Sequence, residues 1–213
     1  ELMECKRWTC PVDSGWLEAA EWAGGPWAVT IVRGGKMAKV PDAERRLAVV
    51  TGGGRGIGRA AALRMARAGR DVVVRDERGA EVVETIEGLG QAAGFVHLDV
   101  TDEAAVLEAM DGIARKFGRL DILVAAVNST GTYLCIRAAL PHMVKAGWGR
   151  IVTFTSQERH GVPTLMPYGV SKAAVVAITA GVAREYTAQG ILANAVEPPR
   201  ARTRTEHGAG PGA

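Results

Sequence analysis

The chain is poor in aromatic residues, 5% of its 213, and has almost no excess charge of either sign, with 26 Lys plus Arg against 23 Asp plus Glu. A formal charge of +3 makes no field strong enough to favour a polyanion, so no nucleic-acid partner is expected. Long apolar runs are missing too. The longest near the start, Trp27 to Val32, is six residues and contains Thr30. A membrane-crossing helix needs roughly 18–20, so no membrane partner is expected. The first residues, ELMECKR, lack the basic-then-apolar order of a secretory signal, which predicts a cytoplasmic protein. Cysteine is scarce and odd in number: Cys5, Cys10 and Cys135 give no disulfide framework. Cys5 and Cys10 have no second Cys or His pair at ligand spacing, and His97, His142, His160 and His207 are scattered, so no metal site is expected.

What the chain does have is 47% hydrophobic residues and 27 glycines, unevenly placed. Residues 1–45 hold four of the five tryptophans (Trp8, Trp16, Trp22, Trp27) and show no sustained helix or strand period. They read as an atypical extension. A natural translation start at Met37 would explain the break in composition; its rival is a genuine extension whose tryptophans form a partner surface. The organised part is expected at 46–203, with a flexible Gly- and Pro-containing tail at 204–213 whose arginines read as solvated.

From Leu47 onward, short β-branched runs alternate with amphipathic stretches, the pattern of a parallel sheet covered by helices. Strands are predicted at 47–51, 71–75, 95–99, 120–124, 150–154 and 191–196. Val106, Met110, Ile113, Ala114 and Phe117 form one apolar helical stripe. A second helix is predicted over 167–189, stopped by Gly190. Right-handed crossovers then give a doubly wound α/β domain of six strands.

The first strand runs into Thr51-Gly52-Gly53-Gly54-Arg55-Gly56-Ile57-Gly58 and then a helix expected over 59–68. Glycines in that place allow positive φ and close approach of backbone amides to a pyrophosphate, which the helix amino terminus also favours. Asp76 ends the second strand 18 residues after Gly58, where an acid can accept hydrogen bonds from a ribose. No Gly-Lys-Ser/Thr follows, which excludes a P-loop. Farther on, Tyr168 and Lys172 are four apart at the start of a helix and share one face. A phenol is a poor proton carrier near neutral pH, and a neighbouring ammonium favours its phenolate. Ser156 closes the fifth strand at the carboxyl edge of the sheet, where it can hold a carbonyl or hydroxyl oxygen.

With TGxxxGIG at 51–58 and YxxxK at 168–172, the chain resembles the short-chain dehydrogenase/reductase family from Arg46 to about Thr203. The resemblance implies a Rossmann fold, an NAD cofactor ahead of NADP, and hydride transfer to or from a small secondary alcohol or ketone. It implies cofactor contacts at Thr51, Gly52, Arg55, Gly56, Ile57, Gly58, Asp76, Asp99, Val100, Tyr168 and Lys172. Ser156, Tyr168 and Lys172 would be catalytic, with Asn128 placing a water in the proton relay. Asp76 would repel a 2′-phosphate, although Arg75 beside it could pair with one. A homodimer or homotetramer is implied through the helices around 133–145 and 170–189.

The chain also departs from the family pattern. It reads LVAA where members read LVNNAG, and passes directly to Val127 and Asn128. It ends at Ala213 before the family's last helix and seventh strand, which would leave the sixth strand as an edge. The rival expectation from these departures is a catalytically weak relative that serves as a nucleotide-binding or association module.

Overall fold

In the computed structural model the described residues are 46–76 and 79–198, with two short strands earlier in the chain at 7–10 and 17–20. Those strands, β1 (Arg7–Cys10) and β2 (Leu17–Ala20), pair antiparallel with Trp8 opposite Ala19. No strand was expected there, because four residues are too few for a side-chain period to register. The rest of 1–45, and the tail from 199 on, lie outside the described residues.

The main sheet follows from runs such as LAVVT and DVVVR, which have no polar face to offer water and so must be covered on both sides. Strand β3 (Leu47–Thr51) is buried throughout, and β4 (Asp71–Arg75) is buried from its second residue onward. Six strands pair in parallel in the order β5-β4-β3-β6-β7-β8, with β5 Ala93–Val96, β6 Ile122–Ala125, β7 Gly149–Phe154 and β8 Ile191–Val196. Helices α1 (Gly56–Arg67) and α2 (Ala80–Glu87) contribute to the core on one face. Helices α3 (Glu103–Phe117), α4 (Ser129–Ala146) and α5 (Met166–Tyr186) contribute to the core on the other, around Met110, Cys135, Met143 and Ile151. The strand order reverses between β3 and β6, and an open α/β sheet leaves a crevice at the carboxyl ends of such a pair.

Four sequence expectations shift. The third strand is Ala93–Val96 rather than 95–99, because its partner β4 ends at Arg75 opposite Val96. His97 to Val100 therefore leave the ladder and run along the crevice. The fourth strand begins at Ile122; Asp121 before it spends its carboxylate on the Leu47 amide, 2.8 Å away. Helix α1 starts at Gly56 instead of 59, so Gly56, Ile57 and Gly58 form its first turn. The long helix ends at Tyr186 and tightens into a 3-10 turn, Thr187–Gln189, before Gly190 at φ +82°.

Counting uninterrupted runs also missed that Met166–Gln189, at a mean hydropathy of 1.3, is long and apolar enough to cross a membrane by length and composition alone. In this fold it packs on β7, β8 and α4, with Thr179 bonded to Thr153 at 2.8 Å and Lys172 reaching Phe154. It is a packing helix of the domain.

Candidate active site

The β3 to α1 turn is shaped by contacts that only glycine can make. Gly52 takes φ +66°, and a Cβ there would lie 2.6 Å from the Ala126 carbonyl oxygen. A Cβ on Gly58 would lie 2.0 Å from the Gly52 oxygen, so α1 rests directly on the turn. Arg55 is the extended residue before α1, and no side chain caps the helix. The first-turn amides have no intrahelical acceptor, and they face a large cleft of about 1580 Å³. An uncapped helix start with Arg55 and Arg59 beside it is a positive, donor-rich wall.

The same cleft gathers most residues picked from sequence. Gly52, Arg55, Gly56, Ile57, Gly58, Asp76, Asp99, Val100, Ser156, Tyr168 and Lys172 all line it. Thr51 does not: it is fully buried behind the turn, its hydroxyl 3.5 Å from the Val124 oxygen. Asn128 also lies outside, exposed at the start of α4 and one residue beyond Val127 of the cleft wall. Only Ala126, Val127 and Asn128 separate β6 from α4.

On the right-hand strands, Ser156 follows β7 and Tyr168 stands in the first turn of α5, 39% exposed at the mouth of the cleft. Lys172 is buried one turn later, at 7% exposure, and burial pulls its ammonium below the ordinary lysine value. Its Nζ donates to the Phe154 carbonyl at 3.1 Å and sits 5.6 Å from the centre of the Tyr168 ring. The Lys172 carbonyl accepts from the Thr155 hydroxyl at 3.1 Å, so α5 is pinned to the end of β7. A fixed positive charge thus stands beside a solvent-reachable phenol, with the serine on the same cleft.

At the left, Asp99 is held by the Thr101 amide at 2.8 Å and hydroxyl at 2.7 Å, which lower its pKa. Asp76 lies at the end of β4. Arg75, before it, is 1% exposed, and its three guanidinium nitrogens have no hydrogen-bond partner among the described residues. It lines the same cleft, and alternation along β4 puts it on the face of Val73, with the Cys135 thiol as an electrostatic neighbour. Burial lowers Arg75 to about 10 and raises Cys135 to about 11.

Sequence reasoning missed the pieces that hold Ser156. Glu158 accepts its hydroxyl hydrogen; Arg159 donates to its carbonyl at 3.0 Å and pairs with buried Glu197 beyond β8. These contacts join segments about 40 residues apart, and no local pattern announces them.

A family model described as short chain dehydrogenase matches residues 46–127 and 124–211, two stretches that meet between β6 and α4. The cis-4-hydroxycyclohexanecarboxylate dehydrogenase of Sinomonas cyclohexanicum is 37% identical over 184 residues, covering 74% of this chain and 74% of its own. A short chain dehydrogenase from Burkholderia cenocepacia, solved in complex with NADP, superposes with a TM-score of 0.68 at 34% identity, over 74% of this chain and 75% of that one. A carveol dehydrogenase from Mycobacterium avium, solved in complex with NAD, gives 0.69 at 26% identity, over 72% and 70%.

Proposed function

We propose that this chain, which belongs to the short-chain dehydrogenase family, works on a small secondary alcohol or ketone through Tyr168, Lys172 and Ser156, with NAD preferred over NADP. It is a nicotinamide-dependent oxidoreductase, and the nicotinamide, when bound, supplies the hydride acceptor or donor. The observation that carries the residue assignment is the convergence of an uncapped, glycine-lined helix start and the Ser156, Tyr168, Lys172 group on one cleft. The orphan amides of α1 fit a pyrophosphate, and Asp76 fits a ribose.

Tyr168, exposed on the cleft wall, is the proton donor in reduction and the acceptor in oxidation. Lys172 keeps positive charge beside the phenol where negative charge develops, and would also hold the cofactor's sugar. Ser156 orients the substrate oxygen. Thr51 braces the turn from behind, and Asn128 at the rim holds water for the proton's exit. The preference for NAD is supported by Asp76 at the strand end, on the cleft wall. Association into a homodimer or homotetramer runs through α4 and α5, where Ala173, Ala177 and Gly181 leave a small-residue outer face on α5.

Fluorescence titration with NADH and NADPH, followed by turnover of ring alcohols, tests this reading. Tyr168→Phe should abolish turnover while leaving the NADH dissociation constant nearly unchanged; Lys172→Ala should damage both. Undiminished turnover in Tyr168→Phe overturns the mechanism, and tighter binding of NADPH overturns the cofactor preference.

A further inference from the structure

One face of β7 changes character as the strand approaches the cleft. Ile151 on that face is buried in the core, and the next two residues in its alternation, Thr153 and Thr155, are hydroxyls buried to 0% and 2% exposure. We propose that Thr155 is a positioning residue: its hydroxyl fixes where Lys172 stands against the end of β7, and with it the distance from the ammonium to the Tyr168 ring. The inference rests on the roles given to Lys172 and Tyr168 above.

The buried positions of α5 are Gly169, Lys172, Val175, Thr179 and Val182. Only the two valines among them are apolar side chains, and apolar contact has no direction, so packing alone does not fix where the helix lies along the strand. Hydroxyl bonds do, because they weaken steeply with distance and angle. Thr153 Oγ1 lies 2.8 Å from Thr179 Oγ1, whose own hydrogen goes to the Val175 carbonyl at 2.7 Å, so Thr153 is the donor of that pair. Thr155 Oγ1 donates to the Lys172 carbonyl at 3.1 Å. The two anchors are about two helical turns apart on α5 and sit on alternate residues of one chain segment. A slip of the helix by one residue, about 1.5 Å of travel and about 100° of rotation, breaks both.

The segment that carries Thr155 is itself held, since the Thr155 amide donates to the Val196 carbonyl of β8 at 2.9 Å. Three consecutive residues then organise the chemistry. The Phe154 carbonyl takes the Lys172 ammonium, the Thr155 hydroxyl takes the Lys172 backbone, and Ser156 stands on the cleft. The Thr155 bond is not needed for folding. Lys172 lies inside α5, so its carbonyl already accepts the helical amide four residues on, and removing the hydroxyl leaves no buried acceptor without a partner. Catalysis is less tolerant: a misplacement of about 1 Å costs on the order of a hundredfold in rate. The Phe154 bond still restrains the ammonium when the hydroxyl is gone, so the expected loss is about tenfold.

The experiment follows oxidation of cyclohexanol with NAD by the full chain, with a thermal melt of each sample. Thr155→Val, which keeps the shape and loses the donor, should lower kcat about tenfold and change the KM for the alcohol less than about threefold. Its melting temperature should stay within about 4 °C of the wild type. Thr155→Ser keeps the donor and should return kcat to within about twofold of the wild type. Asp121→Ala, at the opposite edge of the sheet, should show the reverse: a clear loss of stability with kcat within about twofold. A Thr155→Val chain whose kcat stays within about twofold, or that no longer folds, overturns the inference, as does a Thr155→Ser chain as slow as the valine variant. Each of these leaves the reading of the site standing. Undiminished turnover in Lys172→Ala, or a wild type that oxidises no ring alcohol with NAD or NADP, overturns that reading and the inference with it.

Discussion

Replacing Arg75 by methionine should make the protein more stable. The guanidinium is 1% exposed, and its three nitrogens have no hydrogen-bond partner among the described residues. Burial lowers its pKa from the ordinary arginine value to about 10, which corresponds to roughly 3 kcal/mol of lost solvation at 1.36 kcal/mol per tenfold. The Cys135 thiol is its electrostatic neighbour, and with its own pKa pushed up to about 11 it carries no charge to offer at neutral pH. Methionine fills most of the space without the charge; the volume lost takes back on the order of 1 kcal/mol. The net gain is about 2 kcal/mol, within the range seen when buried ionic groups give way to apolar ones. For a chain of this size that is a rise of about 4–8 °C in melting temperature. The sign with pH follows from the lowered value. The folded state holds this proton less well than the unfolded chain, so the penalty is fully present below about 10 and is relieved only as pH climbs from there toward the ordinary arginine value. The gain should therefore be the same at pH 6 and pH 8. Thermal and urea melts of the two proteins decide the matter, and an Arg75→Met variant that melts below the wild type would show that the guanidinium has a stabilising partner after all.

Three other outcomes are expected. Asp121 is buried where β3 and β6 begin, accepting from the Leu47 amide at 2.8 Å and from Arg119 at 2.5 and 2.9 Å. Asp121→Ala should cost about 2–3 kcal/mol in urea unfolding, and a loss below about 0.5 kcal/mol would show that the contacts are idle. Ala177→Glu on the outer face of α5 should leave only monomer by light scattering at micromolar concentration; unchanged mass would place the association surface elsewhere. Deleting residues 1–36 should leave the melting temperature nearly unchanged, and a drop of many degrees would show that the tryptophans pack on the domain.

Legibility in the sequence followed the range of the forces involved. The β3, β4 and β8 strands and the two apolar helices could be read because burial on both faces, or along one stripe, writes a period into neighbouring residues. The end of β5 could not, since FVHLD continues an extended pattern while its partner strand stops at Arg75. The same distinction runs through the site. Gly52, Gly58, Tyr168 and Lys172 carry short-range spacing that chemistry demands. The Ser156, Glu158, Arg159, Glu197 chain depends on β7 and β8 lying side by side, which no spacing within either segment encodes.

The sheet order explains why these particular segments meet. From β3 the chain winds outward through β4 and β5, and α3 then carries it back to β6 on the other side of β3. The loops after β3 and β4 therefore leave in one direction, and those after β6 and β7 in the other. The first pair delivers the helix-start amides and Asp76; the second delivers Val127, Ser156 and, through the packing of α5 on β7 and β8, Tyr168 and Lys172. Only three residues link β6 to α4, and the family match divides at that link. Tyr168 stands 39% exposed on the cleft, while Ser156 and Lys172 are held by contacts from the protein side. The Lys172 bond to Phe154 and the Arg159 and Glu197 pair supply them, which makes the ends of β7 and β8 the frame on which this chemistry is built.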